Sequence, residues 1–438
     1  MKRRQFLHRT VLAAAGLGLW PAAPWISRVA GSPNEKLNIG FAGCANRAAA
    51  NREEMAGESD GFTVGALCDV DAGSLERARQ KHPGARGYQD FRKMLEQKDL
   101  DAILIGTPDH THAVIAVAAL RSGRHVYCEK PLARTVSECR IISEAAQKHK
   151  RVTQLGTQIH AGNNYRRVVE LIQSGALGLV REVHVWSSAS YGGMERPKDT
   201  PPVPPDLDWD LWLGPVAYRP YHPEYAPFKW RNWWAFGGGS LADFGCHFMD
   251  LPHWALELRH PVTVEPVEGP PVHPESTPPW LIVRYLYPER KKTGSLGLLP
   301  PVQLTWYHGG KQPPQLDQEQ AKYFRSGVLF VGEKGMLLAD YSRCQLLPEA
   351  AFVDFKKPEP YIPNSIGHHK EWIEAIKNGG PTTCNFDYSG ALSEAALLGN
   401  VAYRTGKKLQ WDALKLKAVN CPEADAYIQH VYRKGWII

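Results

Sequence analysis

The sequence predicts an α/β protein: an N-terminal doubly wound parallel sheet, followed by an α+β domain on a mainly antiparallel open sheet. Three observations carry this expectation. From residue 36 to about 156, short apolar runs alternate with helical patterns, the rhythm of strands and crossover helices. Gly-, Pro- and charge-bearing turns follow those runs, where doubly wound sheets bind ligands. Beyond 156, strand-like runs are separated by Pro/Gly turns instead. A length of 438 residues suits two or three domains at about 150 residues each.

Taken in order, residues 36–43 read as a buried strand entering a turn, with helical sequence to about 57. Residues 62–68 form a second strand and 72–82 a helix, with Asp71 and Ser74 as start signals. A helix is expected at 91–97, a strand at 102–106, a helix at 112–122, a strand at 125–128, a helix at 136–148 and a strand at 152–155. A helix at 165–173 and a strand at 181–190 open the second domain. Residues 197–227 are dense in proline and aromatics. Later strands are expected at 281–286, 303–307 and 327–331, and late helices at 368–377 and 389–404. The element pattern thus divides the chain into a leader, 1–33, a doubly wound domain, 34–156, and an α+β domain, 157–438.

The net charge of +7 looks basic, but Lys2, Arg3, Arg4, Arg9 and Arg28 fall in the first 31 residues, which hold no Asp or Glu. Most of the excess therefore belongs to the leader, and no basic stripe argues for nucleic acid. Lys2-Arg3-Arg4-Gln5-Phe6-Leu7 precedes an apolar run of ten residues, 11–20. That run is too short to span a bilayer and suits a signal-peptide core. The paired arginines resemble a twin-arginine signal, so export to the periplasm by that machinery is expected. Eight cysteines include no CxxC. Cys44, Cys68 and Cys128 sit in apolar strand contexts, so few or no disulfides are expected.

The first turn reads Gly43-Cys44-Ala45-Asn46-Arg47-Ala48. A dinucleotide fingerprint would place glycine at 43, 45 and 48. Alanine at 48 is an accepted variant, while Ala45 departs where backbone should approach a pyrophosphate. Asp69, 26 residues after Gly43, can accept from ribose hydroxyls and would repel a 2′-phosphate, which favours NAD over NADP. Thr107-Pro108-Asp109-His110-Thr111-His112 and Glu129-Lys130-Pro131 follow two more expected strands. A lysine there is unlike a core residue, since lysine is rarely buried unpaired.

With these motifs, and Gly237-Gly238-Gly239-Ser240-Leu241-Ala242-Asp243-Phe244-Gly245-Cys246-His247 further on, the chain resembles the Gfo/Idh/MocA family of glucose–fructose oxidoreductases, inositol dehydrogenases and rhizopine-catabolism proteins. The resemblance runs from about residue 36 to the C-terminus. It implies an NAD-dependent oxidoreductase acting on a carbohydrate or cyclic polyol, and a homo-oligomer. It implies cofactor contacts from Gly43, Asn46, Arg47, Asp69, Thr107, Pro108, His110, His112, Glu129, Lys130 and Gln158.

Asp243, His247 and Asp250 recur at i, i+4 and i+7, one face of a helix. By spacing alone a metal site is an alternative, but the resemblance implies none. It implies that His247 removes the proton of a secondary hydroxyl as hydride passes to the nicotinamide. Lys130 would hydrogen-bond the reacting oxygen, and Asp243 would orient the site. Arg166, Tyr191 and Trp230 are further substrate-site candidates. Ten aromatics between 209 and 236 could offer faces to sugar rings, although packing accounts for most.

Export as a folded protein suggests that NAD is loaded beforehand, held tightly and recycled. A redox-neutral glycosidase or lyase working through a transient keto-sugar is the alternative. A non-catalytic binding protein, favoured only by Ala45, is the third reading.

Overall fold

The computed structural model describes residues 36–291 and 297–438; the expected leader lies outside the described residues. The N-terminal sheet is wholly parallel and runs β3-β2-β1-β4-β5-β6. Its strands are β1 (Leu37–Ala42), β2 (Phe62–Cys68), β3 (Arg86–Tyr88), β4 (Ala102–Ile105), β5 (His125–Cys128) and β6 (Thr153–Leu155). Between them lie α1 (Asn46–Glu58), α2 (Ala72–Lys81), α3 (Phe91–Met94), α4 (Asp109–Arg121) and α5 (Val136–His149). The order reverses between β1 and β4, so their carboxyl ends flank a crevice, the usual ligand position in such sheets. β2 and β5 occupy the expected residues. β3 was not expected: it has only three residues, none of them fully buried, too few to show a period. α3 stops after one turn, where a longer helix was expected. α4 begins at Asp109, with Pro108 extended at its N-cap, not at residue 112. This start places Asp109, His110 and His112 inside a helix.

The remaining elements are α6 (Asn163–Gln173), β7 (Val180–Ser187), α7 (Trp209–Leu213), α8 (Gly239–Phe248), α9 (Asp250–Ala255), β8 (Thr263–Glu268), β9 (Leu281–Tyr287), β10 (Arg290–Lys291), β11 (Leu298–Leu299), β12 (Val302–His308), α10 (Gln318–Tyr323), β13 (Gly327–Gly332), β14 (Gly335–Ala339), β15 (Cys344–Leu347), α11 (His368–Asn378), α12 (Phe386–Thr405), β16 (Leu409–Asp412), β17 (Lys417–Ala418) and α13 (Asp425–Ile428). Apart from the β10–β11 ribbon, these strands form a nine-stranded sheet, β15-β14-β13-β7-β12-β9-β8-β16-β17. Only β7–β12 is parallel; the other pairs are antiparallel. β9 alternates Leu281, Val283, Tyr285 and Tyr287 inward with Ile282, Arg284 and Leu286 outward, the period of a strand with one packed face.

Late helices tie the two halves together. α12 lies on α5, where Arg140 donates to both Glu394 oxygens at 2.8 Å, a bidentate geometry. α11 lies on α1, and Glu58 accepts from the His369 and Lys370 amides at 2.8 and 3.0 Å. This satisfies orphan donors of the α11 N-terminus. Trp372 and Ile373 of α11 are buried with Phe41, Leu67, Leu104 and Tyr127, so the C-terminal part completes the core of the N-terminal domain. All eight cysteines are free, and seven are buried. Among the described residues no helix is long and apolar enough to cross a membrane.

Trp372 is fully buried, so Trp372→Ala is expected to destabilise the protein by about 3–5 kcal/mol, measured by denaturant unfolding. A loss below about 1 kcal/mol would show that α11 is not part of this core.

Candidate active site

A cleft of about 1130 Å³ runs from the β1–α1 turn to His247 of α8. That exceeds the ~300–1,000 Å³ of a usual small-molecule pocket and leaves room for a dinucleotide and a substrate. At its β1 end, Gly43 has φ +95°, where a side chain is strained. A Cβ on Gly43 would also meet the Gly106 carbonyl oxygen at 3.0 Å, and one on Gly106 would meet the Ala48 Cβ at 2.7 Å. Ala48 thus packs where only a small residue fits. Ala45 has φ −112° and gives α1 no side-chain cap. Its backbone is one any residue adopts, so the missing glycine costs no strain. The uncapped amides of α1 face an anion's usual place.

Asp69 follows β2 and accepts from the Cys44 amide at 2.8 Å and the Asp71 amide at 3.0 Å. A carboxylate has about four acceptor positions, so capacity remains for ribose hydroxyls. Burial pushes its carboxyl above the usual range. Together the glycine turn, the open helix end and this carboxylate fit a dinucleotide.

Beyond β5, Glu129 accepts from Asn51 Nδ2 at 2.7 Å and Gln158 Nε2 at 2.8 Å, with Arg47 Nε at 3.4 Å. Asn46, Arg47, Thr107, Pro108, Glu129, Lys130 and Gln158 all line the cleft. His110 and His112 do not line it, and their expected cofactor contacts are corrected accordingly. His110 Nε2 donates to the Trp212 carbonyl at 2.7 Å. His112 stands 2.9 Å from the Pro131 carbonyl and 2.8 Å from that of Thr107. Burial holds both rings below the usual histidine pKa. His112 therefore braces the two turns that carry Thr107 and Lys130.

At the far end Lys130 Nζ donates to Asp243 Oδ1, and Arg231 Nε lies 3.3 Å from the same oxygen. Burial alone would raise the Asp243 carboxyl, but Lys130 and Arg231 hold it well below the carboxylate range. The Tyr191 hydroxyl lies against Asp243 and is pushed up to about 12, by burial first and the carboxylate second. His247 lines the cleft. Its Nδ1 is buried without a hydrogen-bond partner among the described residues, leaving Nε2 as the ring atom presented to the cleft. Burial and then Lys130 lower its pKa to about 3, so the ring is neutral. Trp230 also lines this end, under the Arg231 guanidinium at 4.0 Å from its ring centre.

Two further expectations fail. α8 ends at Phe248 and α9 begins at Asp250, so Asp250 leaves the Asp243–His247 face. It is fully buried, bonded to His160 Nδ1 at 2.9 Å and Tyr388 at 2.7 Å. Arg166 donates to the Pro363 carbonyl at 2.9 Å and does not line the cleft. Conversely, Asp109, Arg231, Phe244, Tyr341 and Trp436 line it without having been chosen as site residues. Asp109 and Phe244 lay in quoted motifs; Arg231, Tyr341 and Trp436 carry no local signal.

Two family descriptions match consecutive segments: an oxidoreductase-family NAD-binding Rossmann fold at residues 37–157, and its C-terminal alpha/beta domain at 162–293. Inositol 2-dehydrogenase of Salmonella paratyphi B is 33% identical over 150 residues, 34% of this chain and 45% of that protein. Alpha-N-acetylgalactosaminidase of Shewanella oneidensis is 28% identical over 153 residues, 33% of each. The match therefore spans less than half the length of these curated relatives. The WlbA dehydrogenase of Bordetella pertussis, solved with NADH and UDP-GlcNAcA, shares the fold at TM-score 0.61 and 19% identity, covering 86% of this chain and 98% of that one.

Asp69→Ala is expected to weaken NAD binding and narrow its preference over NADP, both read by calorimetric titration; unchanged affinity for both would remove Asp69 from the ribose site. By matches to both of its domains, with a Rossmann sheet whose turns fit the dinucleotide, the chain belongs to the Gfo/Idh/MocA oxidoreductase family.

Proposed function

We propose that the protein is an NAD-dependent oxidoreductase acting on a secondary hydroxyl of a sugar or cyclic polyol. The observation that carries this reading is the neutral His247 beside the Lys130–Asp243 ion pair, at the end of the cleft away from the ribose carboxylate Asp69. The inositol dehydrogenase relatives support the substrate class. When bound, the nicotinamide supplies the two-electron exchange. The chain's own residues handle charge and protons. Asp243 keeps Lys130 fixed by a charge-assisted bond. Lys130 donates to the reacting oxygen as negative charge develops there. His247 Nε2, unprotonated, takes the hydroxyl proton. Arg231 and Trp230 wall the same end, one for neighbouring hydroxyls and one for a ring's apolar face. In this reading the chain is exported folded, with its nucleotide in place.

The second reading, redox-neutral glycoside cleavage or elimination, is favoured by the N-acetylgalactosaminidase relative. It uses the same residues and releases an aglycone without net NADH.

Screening cyclic polyols, free sugars and aryl glycosides for NADH formation and aglycone release separates the two. Lys130→Met is expected to lower kcat by roughly 10²–10⁴-fold, with retained NAD binding; an unaffected kcat would exclude Lys130 from the chemistry. His247 has its pKa lowered to about 3, so the base form persists as pH falls through 6.5. The acid limb of kcat/KM is therefore expected well below 6. A limb centred near the unperturbed histidine value of about 6.5 would contradict a buried neutral base.

A further inference from the structure

Progress along the sheet from β1 to β2 to β3 maps the cleft. The α1 N-terminus follows β1, Asp69 follows β2, and Phe91 follows β3. If the pyrophosphate lies on α1 and the ribose on Asp69, the adenine falls beside Phe91. Two segments of the second domain line that end.

The first is the proline- and aromatic-rich segment before α7. Its backbone pairs with the β2–α2 connection: the Ala72 amide donates to the Asp206 carbonyl at 2.8 Å, and the Asp208 amide to that of Val70 at 3.0 Å. Asp71 and Leu207 form an antiparallel bridge. Pro204 and Leu207 thereby line the cleft beside Asp69 and Asp71.

The second is the C-terminal tail. The Arg433 amide donates to the Pro215 carbonyl at 3.1 Å, and its guanidinium to the Asp210 carbonyl at 2.6 Å. Tyr432 donates to Glu138 Oε1 at 2.6 Å. So anchored, Trp436 stands against Phe91 with ring centroids 6.1 Å apart, and the Arg92 guanidinium lies 4.9 Å from its ring centre. Both Phe91 and Trp436 line the cleft.

We propose that Trp436 and Phe91 form an aromatic wall against which the adenine of the dinucleotide packs, and that the tail and the segment around Leu207 make the nucleotide slow to leave. The inference rests on the NAD reading above. A base stacks on aromatic rings through its π-face, and leaving requires the tail to lift or the nucleotide to thread beneath it. The consequence is a cofactor retained through successive turnovers.

The test compares the full-length protein with Trp436→Ala, Trp436→Phe and Phe91→Ala. NAD affinity is measured by calorimetry, and NADH release by the fluorescence change on chasing with excess NAD. Trp436→Ala is expected to raise both Kd and release rate by roughly 10–100-fold. Trp436→Phe is expected to stay within about threefold of the parent, because a ring remains. Thermal unfolding without nucleotide checks that the variants are folded. Parental Kd and release rate in Trp436→Ala would overturn the aromatic wall while leaving the NAD reading intact, as would equal losses in Trp436→Ala and Trp436→Phe. A parent protein that binds no NAD would overturn both.

Discussion

The site exists because of one ion pair that spans the molecule. Lys130 leaves the end of β5, Asp243 sits in α8, and 113 residues separate them. Both side chains are almost wholly buried, at 11% and 8% exposure. Taking either charge from water alone is expensive, and breaking such a pair costs about 3–5 kcal/mol. Each half of the protein therefore supplies the other's counter-charge. Arg231 places a second cation on the same carboxylate oxygen, which keeps Asp243 ionised. Burial, and after it the positive field of Lys130, disfavours a proton on His247. Ion pair and burial together set Lys130 and a neutral His247 side by side at one end of the cleft.

That arrangement depends on docking, and the docking is built from late elements. α12 grips α5 through the Arg140–Glu394 fork, and α11 caps itself on Glu58 and fills the core with Trp372. The tail adds the Arg433 and Tyr432 anchors. Residues far along the chain thereby determine how precisely the turns after β1, β4 and β5 face α8. His112 serves the same end locally, by bridging two of those turns.

Much of this was legible in the sequence, where the signal is local. The strands of the parallel sheet are short apolar runs, and Gly43, Asp69, Glu129 and Lys130 follow them directly. Asp243 and His247 share one helix face. The failures have physical causes. Pro108 was read as part of a loop, yet it sits at the N-cap of α4, so His110 and His112 turn inward to backbone carbonyls. The helical period was carried past Phe248, where α8 ends, and Asp250 instead serves a buried network with His160 and Tyr388. Arg166 was a substrate-site candidate, but its carbonyl partner lies 197 residues away. Arg231, Tyr341 and Trp436 reach the cleft only through tertiary folding, which no spacing records.

The most direct measurement is the nucleotide content of the purified full-length protein, released by denaturation and identified by absorbance and mass. About one NAD or NADH per chain is expected, since Ala45 adopts ordinary backbone geometry and leaves the turn competent. A protein that carries no nucleotide and binds none on addition would contradict the account, because Lys130 and His247 would then have no redox partner to serve.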